Sequence, residues 1–250
     1  SYGGDCICIT AIIDHAMRVL FLGDSLTRGS IGYSFADFLP SDIQVINKGV
    51  NGDTTRGARD RLMRYITTID CDSVVVCIGA NDVLLPAMGE ASLLWRPQMR
   101  VRCYLQRCAT TDEDFAHEYG TICELLMQSG KNNVLMGLPH MEMKEIAPSL
   151  IERRNEIIAQ LAEKYGFPYI DSGRVQREEI SQRPGAYGWV YSQPCRLADG
   201  VIMTLFPRTK RWYAQHRRRR YGLKFTVDGV HLNQYSARAL AQHISDVLSQ

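Results

Sequence analysis

Residues 18–27 read RVLFLGDSLT, an apolar run that closes on Gly23 and is followed at once by Asp24, Ser25, Leu26 and Thr27. A run this short, apolar on both faces and ended by glycine, suits a strand buried in a parallel sheet. The residues after it suit a tight turn into a helix, because aspartate and serine accept hydrogen bonds from the first free N–H groups of a helix. This pairing of buried strand and helix start sets the pattern for the rest of the chain.

Four further runs repeat it: Ile43 to Asn47, Ser73 to Gly79, Asn133 to Leu138 and Pro168 to Asp171. Between them lie stretches with helical spacing of apolar residues. Thr55 to Ile69 places Ala58, Leu62, Ile66 and Ile69 on one face, and Glu113 to Met127 does the same with Phe115, Tyr119, Ile122 and Leu126. Ser149 to Tyr165 and Gln234 to Leu248 follow. Alternating strands and helices predict a three-layer α/β/α sandwich around a five-stranded parallel sheet.

Composition supports one folded unit. The 250 residues are 45% hydrophobic and 22% charged, enough to bury a core without crosslinks. No apolar run approaches the ~20 residues of a membrane-spanning helix. Glycine and proline total 29 residues without low-complexity tracts, which excludes collagen-like and wholly disordered readings. Eight cysteines (Cys6, Cys8, Cys71, Cys77, Cys103, Cys108, Cys123 and Cys195) include no C-x-x-C pair, so zinc-finger and thioredoxin patterns are absent. Cys71 and Cys77 read as small buried hydrophobes. Residues 1–16 lack a basic start and a small-residue cleavage site, so they read as an extension rather than a secretory signal, with Met17 as a natural start. Together with the scattered thiols this favours a cytoplasmic setting. The expected organisation is a single domain over 17–250.

Net charge is +2, but its distribution is uneven. Residues 91–111 contain Arg96, Arg100, Arg102 and Arg107 and no acid. Residues 200–227 contain Arg208, Lys210, Arg211, Arg217, Arg218, Arg219, Arg220 and Lys224, again without an acid. The rest of the chain holds 17 basic against 27 acidic residues, so the positive field is concentrated in two segments. Both fall where the rhythm breaks. Residues 84–111 appear as an insertion that delays the helix expected after the third strand. Residues 173–227 form a second insertion, longer than an ordinary connection and containing Trp189, Tyr191, Trp212 and Tyr213. Its aromatics read as a small satellite core.

In an open parallel sheet, chemistry gathers beyond the carboxyl ends of the strands. Four blocks stand there: GDSLT at 23–27, NKGVNGDTT at 47–55, GANDV at 79–83 and DGVHLN at 228–233. Ser25 at a strand-to-helix turn can act as a nucleophile, His231 can take its proton, and Asp228 can orient that imidazole. Gly52 can offer a backbone N–H and Asn81 an amide to a developing oxyanion, together with the N–H of Ser25. Asp24, Asp53 and Asp82 read as structural. His140, after the fourth strand, reads as a packing histidine near the site. His15, His117, His216 and His243 lack ligand spacing, and neither a metal nor a cofactor is expected. Thr27 occupies the last position of a would-be G-x-S-x-G, which argues against the larger α/β-hydrolase fold.

These four blocks, in this order, resemble the SGNH, or GDSL, hydrolases. The resemblance covers residues 17–83, 112–171 and 228–248. It implies a flavodoxin-like sheet of order 2-1-3-4-5. It also implies a triad of Ser25, Asp228 and His231 with an oxyanion hole of Ser25, Gly52 and Asn81. The expected activity is hydrolysis of short acyl esters such as acetyl, a carbohydrate O-acetyl esterase being one form. A thioesterase, a lysophospholipase or an O-acyltransferase would use the same parts. The alternative outside catalysis is a protein that contacts nucleic acid or an acidic membrane through its basic insertions. The expected partner is a small-molecule or glycan ester, anionic if the basic segments overhang the site, rather than nucleic acid. Oligomeric state and acyl length are not encoded in these motifs.

Overall fold

A computed structural model describes residues 16–91, 93–143, 145–180 and 193–250. Five strands, β1 (Met17–Gly23), β2 (Ile43–Gly49), β3 (Ser73–Cys77), β4 (Asn132–Met136) and β5 (Tyr169–Ile170), form one sheet among the described residues. Their order is β2-β1-β3-β4-β5, every pair parallel. This is the flavodoxin-like order. The central strands are buried on both faces: Val19 to Leu22 and Val74 to Val76 are almost wholly inaccessible. Each such side chain contributes about 1.5–3 kcal/mol by leaving water. β2 is half-buried along its length because it forms an edge.

In chain order the α-helices are α1 (Ser25–Arg28), α2 (Thr55–Thr68), α3 (Ala80–Ala91), α4 (Arg96–Leu105), α5 (Asp112–Ser129) and α6 (Pro148–Tyr165). They continue with α7 (Ser172–Ile180), α8 (Gln193–Leu205), α9 (Lys210–Tyr221) and α10 (Gln234–Leu248). α2, α5 and α6 pack side by side, while α10 packs on α7 and on the short 3-10 turn Phe35–Phe38. Right-handed crossovers account for the division. The chain leaves β1 in one direction to reach β2 and returns past it to β3, so the connecting segments fall on opposite faces.

One expectation is corrected here. The helix after β3 is not delayed: α3 begins at Ala80, immediately beyond the strand. Its sequence, ANDVLLPAMGEA, is buried almost all round and carries Pro86 and Gly89, so no 3.6-residue stripe marks it. The first basic segment is the tail of α3 followed by α4; of the second insertion, α7, α8 and α9 lie among the described residues, and the short 3-10 turn Pro207–Thr209 joins α8 to α9. Residues 1–15, with Cys6, Cys8 and His15, lie outside the described residues, as do Trp189 and Tyr191. Cys71 and Cys77 are buried thiols, as their Val-rich setting suggests. No described helix is long and apolar enough to cross a membrane.

Candidate active site

β1 lies between β2 and β3, and the chain departs from it in opposite directions, which opens a crevice at its carboxyl end. Ser25 is the second residue beyond the last core position of β1 and begins α1. The turn is tight. A Cβ on Gly23 would lie 2.0 Å from Thr27 Oγ1 and 2.4 Å from the Cys77 carbonyl, so only glycine fits. Asp24 caps α1, its Oδ1 accepting from Leu26 N at 2.9 Å. Asn47 ties the turn to β2 by donating to the Thr27 carbonyl at 2.8 Å.

The last block arrives from the other end of the chain. Residues 224–233 fold into a compact loop in which Val227 N donates to the His231 carbonyl at 2.8 Å and Asn233 N to the Phe225 carbonyl at 3.0 Å. Asn233 then caps α10 by accepting from Ser236 N. Asp228 Oδ1 accepts from Val230 N and His231 N at 3.1 and 2.7 Å, which fixes the carboxylate. Its Oδ2 lies 2.7 Å from His231 Nδ1, and His231 Nε2 lies 3.0 Å from Ser25 Oγ. Asp228 and His231 are buried while Ser25 is half-exposed, so a substrate reaches the hydroxyl rather than its support. Ser25, Asp228 and His231 are therefore one hydrogen-bonded chain across 206 positions of sequence.

Gly52 and Asn81 meet at the same edge. Gly52 sits at φ +78°, a conformation side chains avoid. Asn81 Nδ2 donates to the Asp53 carbonyl at 2.9 Å and lies 3.5 Å from Asp24 Oδ2. The amide thus bridges the residue after Gly52 and the residue before Ser25. One hydrogen is committed to Asp53; the second has only a long contact, beyond a strong bond.

Buried carboxylates hold this edge together. Burial pushes the Asp24 carboxyl up to about 7, with Asp53 and Asp82 adding to the rise and the Leu26 N–H opposing it. Asp82 accepts from Thr55 N at 2.9 Å and Ala109 N at 2.7 Å, and burial raises it to about 6 against those two bonds. Asp53 pairs with Arg61, whose guanidinium also donates to the Gly23 and Lys48 carbonyls at the ends of β1 and β2. All three aspartates have the structural work expected of them.

His140 stacks on Phe225 at 5.2 Å between ring centroids, and its Nε2 is 3.0 Å from Arg177 Nη1. Burial and the Arg177 charge lower its pKa. It borders a cavity of about 230 Å³ at the ends of β4 and β5, with Asn155 and Asp171.

Two supporting residues escaped the sequence reading. Arg61 lies on the inward face of α2 between Ala58 and Leu62, and an arginine on an apolar stripe was the available signal. Glu142, 2% exposed, accepts from the N–H groups of Lys224, Phe225 and Thr226 and from the Thr226 hydroxyl. It clamps the histidine loop to the segment after β4. Nothing in its sequence neighbourhood distinguishes it from a surface acid.

Residues 21–194 match the GDSL-like lipase/acylhydrolase family. An arylesterase from Vibrio mimicus is 34% identical over 87 residues, which is 31% of this chain. The match spans 44% of the arylesterase, less than half its length. An acetylxylan esterase from Geobacillus stearothermophilus superposes with a TM-score of 0.57 at 18% identity, covering 94% of both chains. A lipase/acylhydrolase from Enterococcus faecalis gives 0.55 at 19% identity, covering 92% of this chain and 94% of the other. These similarities establish the shared fold.

Proposed function

The chain belongs to the GDSL-like lipase/acylhydrolase family, and from that premise we propose that it is a serine esterase acting on short acyl esters through an acyl-enzyme on Ser25. The observation that carries the reading is the continuous bond chain from Ser25 Oγ through His231 to Asp228. His231 Nε2 accepts the hydroxyl proton as Ser25 Oγ attacks the ester carbonyl. Asp228 holds the Nδ1–H tautomer and stabilises the imidazolium that results. The oxyanion then forms beside the N–H groups of Ser25 and Gly52 and the second hydrogen of Asn81 Nδ2. His231 returns its proton to the leaving alcohol. Water, deprotonated by the same nitrogen, releases the acid and restores Ser25.

Acetyl esters on carbohydrate are the first substrates to test, given the named activities of the arylesterase and the acetylxylan esterase. The substrate is a small ester rather than a nucleic acid, and the uncrosslinked thiols Cys71, Cys77 and Cys123 suit a reducing compartment such as the cytoplasm. A hydrolysis panel from acetyl to palmitoyl esters, with acetylated sugars, tests the proposal. The expected result is highest kcat/KM for acetyl and propionyl esters and none with Ser25→Ala. Turnover of all chain lengths by the Ser25→Ala protein would overturn it.

A further inference from the structure

The two basic segments bring an unusual surface to the edge that carries Ser25. α4 buries Met99 against α3, and its outer face presents Tyr104 and Leu105 beside Arg100, with Leu93 and Leu94 just ahead of it. α8 buries Met203, which packs with Tyr213, Val227 and Ile31 in a small second core. The satellite core expected for this region is therefore present through Tyr213. Leu205, Phe206 and Trp212 face outward beside Arg208 and Arg211. All seven of these apolar residues are more than half exposed, from 58% for Trp212 to 82% for Tyr104. Long apolar side chains exposed at this density mark an interaction site rather than ordinary surface.

Both segments are anchored on turns next to Ser25. A Cβ on Gly52 would lie 2.8 Å from Gln106 Nε2 and 3.7 Å from an Arg102 nitrogen, and Thr54 Oγ1 donates to the Gln106 carbonyl at 2.6 Å. On the other side, Lys210 Nζ donates to the Gly29 carbonyl at 2.6 Å, where α1 ends. The two turns themselves touch, Asn51 Nδ2 lying 3.4 Å from Ser30 Oγ. The C-terminal end of α4 and the start of α9 therefore flank one mouth, and the exposed apolar and basic residues extend outward from these two ends.

We propose that this flank is a docking surface for an anionic lipid bilayer, which holds the crevice of Ser25 against the membrane interface. Charge complementarity selects the occupant: residues 91–111 and 200–227 together carry twelve basic residues and no acid, and while Arg107 pairs with Asp60 of α2, Arg100, Arg208 and Arg211 are exposed beside the apolar side chains. Leucine, phenylalanine and tryptophan interleaved with arginine insert into the headgroup boundary, where the guanidinium groups stay on the phosphates. Exposed leucines have no comparable use on a nucleic-acid backbone, which is bound by charge and by aromatic stacking. A two-fold copy would set this basic face against itself.

Vesicle co-sedimentation of the full chain tests the proposal without any turnover, so its outcome does not depend on the esterase reading; the Ser25→Ala protein is expected to bind as the parent does. Vesicles of phosphatidylcholine with about one-third phosphatidylserine should retain the protein, and pure phosphatidylcholine much less. Raising salt from about 0.1 M to about 1 M shortens the screening length from about 10 Å to about 3 Å and should release most of it. Arg100→Ala and Arg208→Ala should each weaken binding about fivefold. The pair Leu94→Asp and Phe206→Asp should weaken it by about tenfold or more while turnover of a water-soluble acetyl ester is unchanged. Absence of binding to either vesicle would overturn the proposal. So would equal retention by duplex DNA that survives the Leu94 and Phe206 substitutions, or self-association that those substitutions dissolve.

Discussion

The edge around Ser25 and the basic flank beside it are built on opposite plans. At the edge, the carboxylates are spoken for: Asp24, Asp82, Glu142 and Asp228 are buried, each accepting backbone N–H bonds that lock a turn. On the flank, α4 and α8 each fix themselves by a few inward residues, Met99 and Met203 chief among them, and leave apolar side chains in water. The first region is over-determined, as an active centre that must position atoms within about 0.5 Å should be. The second is under-buried, as a surface that meets a partner should be. Substitutions at the edge should therefore act on chemistry or folding, and substitutions on the flank should act on neither.

The largest contrast is expected from the nucleophile. Ser25→Ala should lower kcat by about 10⁴-fold or more while thermal unfolding stays that of the parent, because the side chain is half-exposed and its hydroxyl bonds, among the described residues, to His231 alone. Retained turnover would erase the distinction between the two regions. Asn81→Ala comes next, with kcat reduced about 10²–10³-fold and KM little changed if its amide meets the oxyanion. A purely structural asparagine would instead lower the melting temperature and leave kcat of the folded fraction alone.

Glu142→Ala removes one acceptor group for three backbone N–H donors and a hydroxyl, and should cost about 3 kcal/mol of stability. Urea unfolding measures it. A loss below 1 kcal/mol would mean that water replaces the carboxylate. Comparable in size is the effect of pH through Asp24. Its carboxyl rises from 3.8 to about 7 on folding, chiefly through burial. The native state then keeps a proton that the unfolded chain has lost, so this group's contribution to stability falls as pH rises from about 4 to about 7. Asp24→Asn should flatten that part of the stability profile, and an unchanged slope would place the titration elsewhere, in Asp82 first. The smallest effect is on the flank itself, where Leu94→Asp and Phe206→Asp should alter hydrolysis of a soluble ester by about twofold at most.

How far the sequence revealed each region follows the same division. RVLFLGDSLT and its four counterparts made the sheet and its carboxyl edge readable, since buried strands and turn residues carry strong local signals. The blocks carrying Ser25, Asn81 and Asp228 to His231 stand where the order of strands requires. α3 was not readable, because a helix buried on all sides and interrupted by Pro86 has no polar face to betray its period. Glu142 was not readable either, since its partners lie over 80 positions away and its role exists only in three dimensions. The flank was legible as charge, while the exposure of Tyr104 and Phe206 emerges only once α4 and α8 choose Met99 and Met203 as their inward faces.

Covalent labelling with a fluorophosphonate, followed by mass spectrometry of the modified peptide, interrogates the hydroxyl of Ser25 without assuming a substrate. The label is predicted on Ser25 in the parent protein and at a rate reduced by several orders of magnitude in His231→Ala. A folded parent that takes up no label, or takes it at the same rate without His231, would contradict the triad.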